Sequence, residues 1–180
     1  RINPLNPNFL TMSAYAYDYA DTVLSNLSAE FIKQPNFFTR SAKSLLAAVM
    51  WYLKEYKPDY CTLPHAVRMI LTTDIPKLLE RLSECDEAEG MIASVASGIE
   101  SKNQTAGVVG TLQNIISPLN TPNIFWVLSG DDLTLDLNDP NSKKFLSVAN
   151  SPPLSSTFGP AISLIFSAAL QQMNQQGKHH

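Results

Sequence analysis

The segment Phe37–Tyr56 constrains the fold more than any other part of the sequence. Its apolar residues, among them Phe38, Leu45, Leu46 and Val49, recur at intervals of three and four positions. This spacing places side chains on one face of an α-helix. Because aromatic residues crowd the end of the segment, the apolar face is wide. The pattern predicts a long helix at the centre of a helical protein.

Shorter patterns of the same kind predict further helices on both sides of this segment. Two of them follow Thr62-Leu63-Pro64 and Asp74-Ile75-Pro76, where a proline in the first turn is typical of a helix start. Short turns join the predicted helices, which is the arrangement of a helix bundle. The predicted helices cover residues 14–33, 37–56, 65–71, 77–82, 87–100, 105–117 and 155–174.

The sequence changes in character after Pro118. Residues 131–137 alternate polar and apolar side chains, and residues 144–149 read Lys-Phe-Leu-Ser-Val-Ala. Both patterns favour short extended strands. The expected fold class is therefore mainly α, a multi-helix bundle with one or two short strands in the C-terminal third.

Residue spacing excludes several classes of function. The seven glycines do not form the GxxxxGK[ST] spacing that surrounds a phosphate with backbone N–H groups, so an NTPase site complete within these residues is excluded. The apolar runs are shorter than the roughly 20 residues that cross a bilayer. Cys61 and Cys85 form no CxxC pair, and His65 is the only histidine away from the C-terminal end. We therefore expect no zinc site, and two reduced cysteines in a cytoplasmic protein.

The net charge of −3 conceals an uneven distribution. Residues 1–81 carry nine basic and seven acidic side chains, and residues 143–180 carry three basic and no acidic ones. Residues 82–142 carry one basic and nine acidic side chains, a net charge of −8. A surface of one sign steers the approach of a partner of the opposite sign.

The densest acidic cluster lies around residue 85 and has two interpretations. It is either a docking face for a basic partner or a solvated turn between two helices, and the sequence leaves both open. A pair of catalytic carboxylates would need an apolar cleft, which nothing nearby indicates. The candidate partner-binding residues are Glu80, Glu84, Glu87 and Glu89.

Four other motifs favour structural roles. The run Asp131, Asp132, Asp136 and Asp139 lacks the central glycine and closing glutamate of a calcium loop, so it fits strand edges and turns better. His65 follows a proline and suits a capping or surface position. We expect the Gly107-Val-Val-Gly110 motif to allow two helices to pack closely. We expect Gly159-Pro160 to mark the start of a helix. We predict no catalytic, cofactor-binding or metal-binding residue.

The order of the short motifs along the chain resembles that of type IV coupling proteins of conjugation and type IV secretion, the TraG/TraD-like family, including mobilisation proteins. The match covers nearly the whole chain, and its specificity lies in the succession of the motifs. They are Asn3-Pro4-Leu5, then Phe37-Phe38 with Ala42 and Leu45-Leu46-Ala47, then Ser129-Gly130-Asp131-Asp132-Leu133, and finally Phe158-Gly159-Pro160 before Met173-Asn174 and Gly177-Lys178.

The resemblance implies a bacterial, membrane-anchored hexameric ATPase whose RecA-like domain carries an inserted all-α domain in the cytoplasm. Residues 18–128 would be the all-α domain, and residues 1–17 and 129–180 would belong to the nucleotide-binding domain. The phosphate-binding loop would precede Arg1 and the acidic metal motif would follow His180. ATP and Mg²⁺ are thus expected for the parent protein, and no site residue for them is carried over to this chain.

The expected function is recognition of a relaxase, a relaxosome or a secreted protein by a fragment that is not itself an enzyme. The fragment would be monomeric, and DNA would be contacted indirectly. A standalone helical adaptor is the alternative, and it would have no strands after residue 128. A small enzyme would need its acidic residues to converge on a pocket.

Overall fold

The computed structural model describes residues 1–96, 102–137, 139, 141, 144–149 and 155–176. Within these residues the chain forms α-helices and no β-strand, which confirms the mainly α, multi-helix fold. No helix in this described part is long and apolar enough to cross a membrane. The helices are α1 (Ser13–Leu27), α2 (Glu30–Lys33), α3 (Phe37–Tyr56), α4 (Leu63–Thr72), α5 (Ile75–Leu82), α6 (Asp86–Ala96), α7 (Lys102–Ile116), α8 (Pro122–Leu128) and α9 (Ser155–Gln176).

Local sequence signals determine where three of these helices begin. At the start of α3, the Asn36 side chain accepts from the Thr39 N–H at 3.0 Å, and the Thr39 hydroxyl accepts from the Asn36 N–H at 2.9 Å. Two of the free N–H groups of the first turn are thereby satisfied. Thr62 caps α4 and Thr121 caps α8, each with a proline in the first turn.

Helix α3 is the centre of the bundle, as its sequence predicts. Every side chain from Leu45 to Leu53 is buried, because α1, α4, α6 and α7 surround the helix. Apolar side chains buried to this extent each contribute roughly 1.5–3 kcal/mol to folding. Helix α9 packs along α1 and completes the core with Leu164, Ile165 and Ala168.

The helix boundaries depart from the sequence prediction in three places. The predicted helix 14–33 is two helices, α1 and α2, with a break at Ser28. Residues 122–128, for which the sequence predicts no helix, form helix α8, which Thr121 caps. Pro160 lies inside α9, so the interpretation of Gly159-Pro160 as a helix start is wrong. The boundary predicted at residue 18 falls within α1, and the division into domains stays a prediction.

The short strands expected in the C-terminal third are not formed within the described residues. Residues 131–137 make one isolated parallel bridge, between Ile2 and Leu133. Leu133 and Leu135 would share one face of a strand, but Leu135 is buried against the core while Leu133 is exposed. Residues 144–149 have no strand assignment either, and the Phe145 side chain is fully exposed. A strand needs a neighbour along its length, and these segments have none in the described part of the chain.

The segment before α1 and the segment after α8 lie next to each other. Ile2 donates its N–H to the Val127 carbonyl at 2.9 Å, and the N–H groups of Asp132 and Leu133 both donate to the Arg1 carbonyl at 3.1 Å. The Arg1 guanidinium binds Asp132, with Nε at 2.9 Å from Oδ2. Residues 1–2 and 132–133 therefore run side by side in the same direction.

Candidate protein-docking surface

The four predicted partner-binding residues lie together along one side of the bundle. Glu80 is near the end of α5, Glu84 is in the turn that follows, and Glu87 and Glu89 are in the first turn of α6. All four side chains are exposed. None of them forms an ion pair with another described residue. We call Glu80, Glu84, Glu87 and Glu89 the acidic face.

One member of the acidic face also supports the fold. The Glu87 carboxylate accepts a hydrogen bond from the indole N–H of Trp51 at 3.1 Å. Trp51 is on α3 and is 4% exposed, so its N–H depends on this acceptor. The Lys54 ammonium lies 4.3 Å from the centre of the same indole ring. Glu87 thus anchors α6 to α3, a role that the sequence did not indicate.

Aromatic side chains connect the acidic face to the end of α3. The Tyr56 hydroxyl donates to the Glu84 carbonyl, and the Tyr56 ring stacks on Tyr52 with centroids 5.2 Å apart. Burial raises the pKa of the Tyr52 phenol, and the Glu84 carboxylate raises it further. Because the backbone of Glu84 makes this contact, its carboxylate remains available at the surface.

A groove with basic side chains borders the acidic face at Glu84. It has a volume of about 570 Å³ and lies between the end of α3, one side of α4 and the end of α5. Sequence reasoning missed it, because its cations are far apart along the chain and come together only in the fold. We call it the basic groove, and it is lined by Tyr52, Leu53, Lys57, Tyr60, His65, Arg68, Met69, Thr72, Thr73, Arg81 and Glu84.

His65 is a half-buried wall of the basic groove. Its Nδ1 is 2.7 Å from the Thr62 hydroxyl, and its ring packs edge-to-face with Tyr60 and Phe125. Burial lowers the pKa of the imidazole, and the positive charge of Arg68 lowers it further. Both effects favour the neutral imidazole, and the contact with Thr62 places His65 at the cap of α4, one of the two positions that the sequence allows.

The aspartates of the run 131–139 bind different groups of the protein and do not converge. Asp131 accepts from the Asn6 side chain at 2.7 Å, Asp132 binds Arg1, and Asp136 binds Lys144 at 2.7 Å. No group of three or more His, Cys, Asp or Glu residues in the described chain is arranged to hold a metal ion.

The two glycines of the Gly107-Val-Val-Gly110 motif differ in their surroundings. A Cβ atom at Gly107 would lie 3.2 Å from Cε1 of Phe38, whereas one at Gly110 would meet nothing within 4 Å. Close packing against α3 therefore occurs at Gly107 alone. Phe38, expected on the buried face of α3, is 42% exposed and covers this glycine.

Comparison with known proteins identifies no relative. No protein-family model, no curated protein and no solved structure matches the chain.

Proposed function

We propose that this chain is the substrate-recognition region of a coupling-type ATPase of conjugation or type IV secretion, and that it is not catalytic by itself. It docks a relaxase, a relaxosome or a secreted protein, and the motor of the parent protein then moves that substrate. The family is proposed from the resemblance in the order of the sequence motifs. The structural observation that supports the proposal most directly is the meeting of the two flanking segments.

An inserted domain has to leave its parent and return to it at neighbouring points. Arg1 and Ile2 lie beside Asp132 and Leu133, in parallel and with backbone hydrogen bonds between them. A parallel pair of segments at this place is what two neighbouring strands of an α/β sheet would supply. The all-helical region between these segments fits an insertion into such a sheet.

The acidic face supplies the docking chemistry. Its carboxylates are exposed and form no ion pair within the described residues. They therefore attract a basic partner over the length at which salt screens charge, about 8 Å at physiological ionic strength. The partner we propose is a relaxase or another basic component of a DNA-processing complex.

A standalone helical adaptor is the second candidate. It is favoured by a specific observation, since the described residues after 128 contain no strand. The two candidates differ in the sequence that flanks the chain in its gene product. The coupling ATPase requires a GxxxxGK[ST] loop upstream and an apolar strand ending in Asp-Glu downstream, and the adaptor requires neither.

Charge reversal on the acidic face tests the docking function. We expect the combined variant Glu80→Lys, Glu84→Lys and Glu89→Lys to capture less of the purified relaxase of the same conjugative element. Glu87 is left unchanged because it holds Trp51. Unchanged capture would rule out this face as the docking surface.

A matched control reverses three exposed acidic residues elsewhere. Asp18, Glu30 and Asp74 are exposed and lie outside the acidic face. The combined variant Asp18→Lys, Glu30→Lys and Asp74→Lys has the same net charge as the test variant. Equal loss of capture in both variants would show that only the total charge matters and would contradict the proposal.

A further inference from the structure

The basic groove collects cations from three separate elements. Lys57 ends α3, Arg68 is on α4 and Arg81 is on α5, and all three line the same 570 Å³ space. Their side chains are exposed. Within the described residues none of the three forms an ion pair, although Lys43, Lys54 and other cations of the chain do.

The floor and one wall of the groove are apolar and aromatic. Leu53 is buried, Met69 is half-buried, and Tyr60 is 55% exposed at the rim. A ligand in this groove would therefore meet positive charge at its edges and apolar surface beneath. The volume is within the range of about 300–1,000 Å³ that is typical of sites enclosing a short ligand.

We propose that the basic groove binds a short acidic peptide segment of the docked partner, with carboxylates at Lys57, Arg68 and Arg81 and an apolar side chain on Leu53 and Met69. Arginine suits this role because its planar guanidinium forms paired hydrogen bonds with a carboxylate. Clusters of such side chains are a recurring means of recognising acidic motifs.

The arrangement of the aromatic rings favours a peptide over a single-stranded nucleic acid. Nucleic-acid grooves offer ring faces on which bases stack. Here the face of Tyr52 is covered by Tyr56, with the two ring planes 6° apart, and Tyr60 packs against His65. The Glu84 carboxylate also lines the groove and would repel a continuous phosphate backbone.

This inference rests on the proposed docking function and adds the chemistry of a second contact. Because Glu84 belongs both to the acidic face and to the groove, the two surfaces are contiguous. A partner with a basic patch beside an acidic segment would match both of them. The pairing of opposite charges in one orientation fixes the register of docking.

Fluorescence anisotropy with a labelled peptide that alternates glutamate and leucine tests the groove on the purified chain. We expect the combined variant Lys57→Gln, Arg68→Gln and Arg81→Gln to bind about tenfold more weakly, a loss of about 1.4 kcal/mol shared by three weak exposed ion pairs. A second variant, Arg68→Lys with Arg81→Lys, keeps the charge but removes the planar guanidinium. Its affinity for the peptide should lie between those of the wild type and the glutamine variant.

A matched control replaces Lys33, Arg40 and Lys77 with glutamine, three exposed cations outside the groove. It should bind like the wild type, and a glutamine-leucine peptide should bind weakly to every form. The proposal is overturned by absent binding, by equal loss in the control variant, or by equal affinity for the glutamine-leucine peptide. Tighter, groove-dependent binding of oligothymidylate would also overturn it, in favour of nucleic acid.

The peptide-binding test of the groove and the capture test of the acidic face can fail independently of each other. If the peptide fails to bind while relaxase capture still depends on Glu80, Glu84 and Glu89, the groove proposal is wrong and the docking function stands. If the peptide binds but capture does not depend on those residues, the proposal that the acidic face is the docking surface is wrong.

Discussion

The indole Nε1 of Trp51 donates a hydrogen bond to Oε2 of Glu87 across 3.1 Å, and this contact joins the central helix to the acidic face. Trp51 is 4% exposed, whereas Glu87 stands on the exposed side of α6. A single side chain therefore serves both the core and the predicted docking surface. Substitution of Glu87 changes the packing of α6 on α3 as well as the surface charge.

We expect Glu87→Ala to lower the free energy of unfolding by about 1–2 kcal/mol, because the indole N–H then lacks an acceptor in a partly buried position. Glu87→Gln keeps an acceptor oxygen and should lose less. Urea denaturation followed by tryptophan fluorescence measures both. Glu89→Ala is the control, since Glu89 is exposed on the same helix. Equal effects of the two alanine variants would contradict the role of Glu87.

The features that the sequence predicted well are those set by local residues. The bounds of α3 follow from its apolar periodicity and from the Asn36 cap, and both signals lie within the helix or directly before it. Helix α8 is not among the predicted helices, although it begins with a threonine cap and a proline in the first turn, as α4 does. A cap followed by proline has to be assessed together with the apolar run behind it.

The features that the sequence could not predict depend on contacts between distant residues. Lys57, Arg68 and Arg81 are far apart in the sequence and form no motif. They line one groove only when α3, α4 and α5 pack together. The expected strand 131–137 failed for the same reason, because alternation does not reveal whether a neighbouring strand exists. The residues of the acidic face lie together and exposed because they are close in sequence, and their role in docking stays a prediction.

Gly107 and Gly110 allow a test of the close packing between α7 and Phe38. Replacing a helical glycine with alanine stabilises a helix by about 0.5–1 kcal/mol where space is free. We expect Gly110→Ala to show this gain and Gly107→Ala to show less, because its new methyl group would lie 3.2 Å from the Phe38 ring. Thermal or urea unfolding of the two variants measures the difference. A larger gain at Gly107 would mean that Phe38 is not held against α7.

Cys61 gives a prediction about thiol reactivity. Its side chain is buried, its Sγ donates to the Leu5 carbonyl at 3.1 Å, and burial raises the pKa of the thiol to about 12. The reactive thiolate is therefore absent at neutral pH. In a Cys85→Ser variant, iodoacetamide should label Cys61 only after urea unfolds the protein. Rapid labelling of the native protein would show that the Leu5 segment opens readily.

The last prediction concerns the junction between the two flanking segments, where the Arg1 guanidinium and the α-ammonium group of Arg1 together hold the pKa of the Asp132 carboxyl at about 2. A Cβ atom at Gly130 would lie 2.8 Å from Cβ of Arg1, closer than folded proteins allow. We therefore expect Gly130→Ala to separate the segments and to return the pKa of Asp132 towards its ordinary value near 4. A titration of the carboxyl ¹³C shifts by NMR measures this change.

The contact between Arg1 and Asp132 should also make the free energy of unfolding depend on pH. A carboxyl whose pKa is depressed by folding adds stability above its unfolded pKa near 4, and that stability is lost as the pH falls through the folded pKa of about 2. The difference in unfolding free energy between the wild type and Gly130→Ala should thus shrink from pH 4 to pH 2. Gly110→Ala, which meets no neighbour, should show no such change. An unaltered Asp132 pKa in Gly130→Ala would mean that the flanks do not depend on this close approach, and it would weaken the argument that they meet as neighbouring strands of a parent sheet.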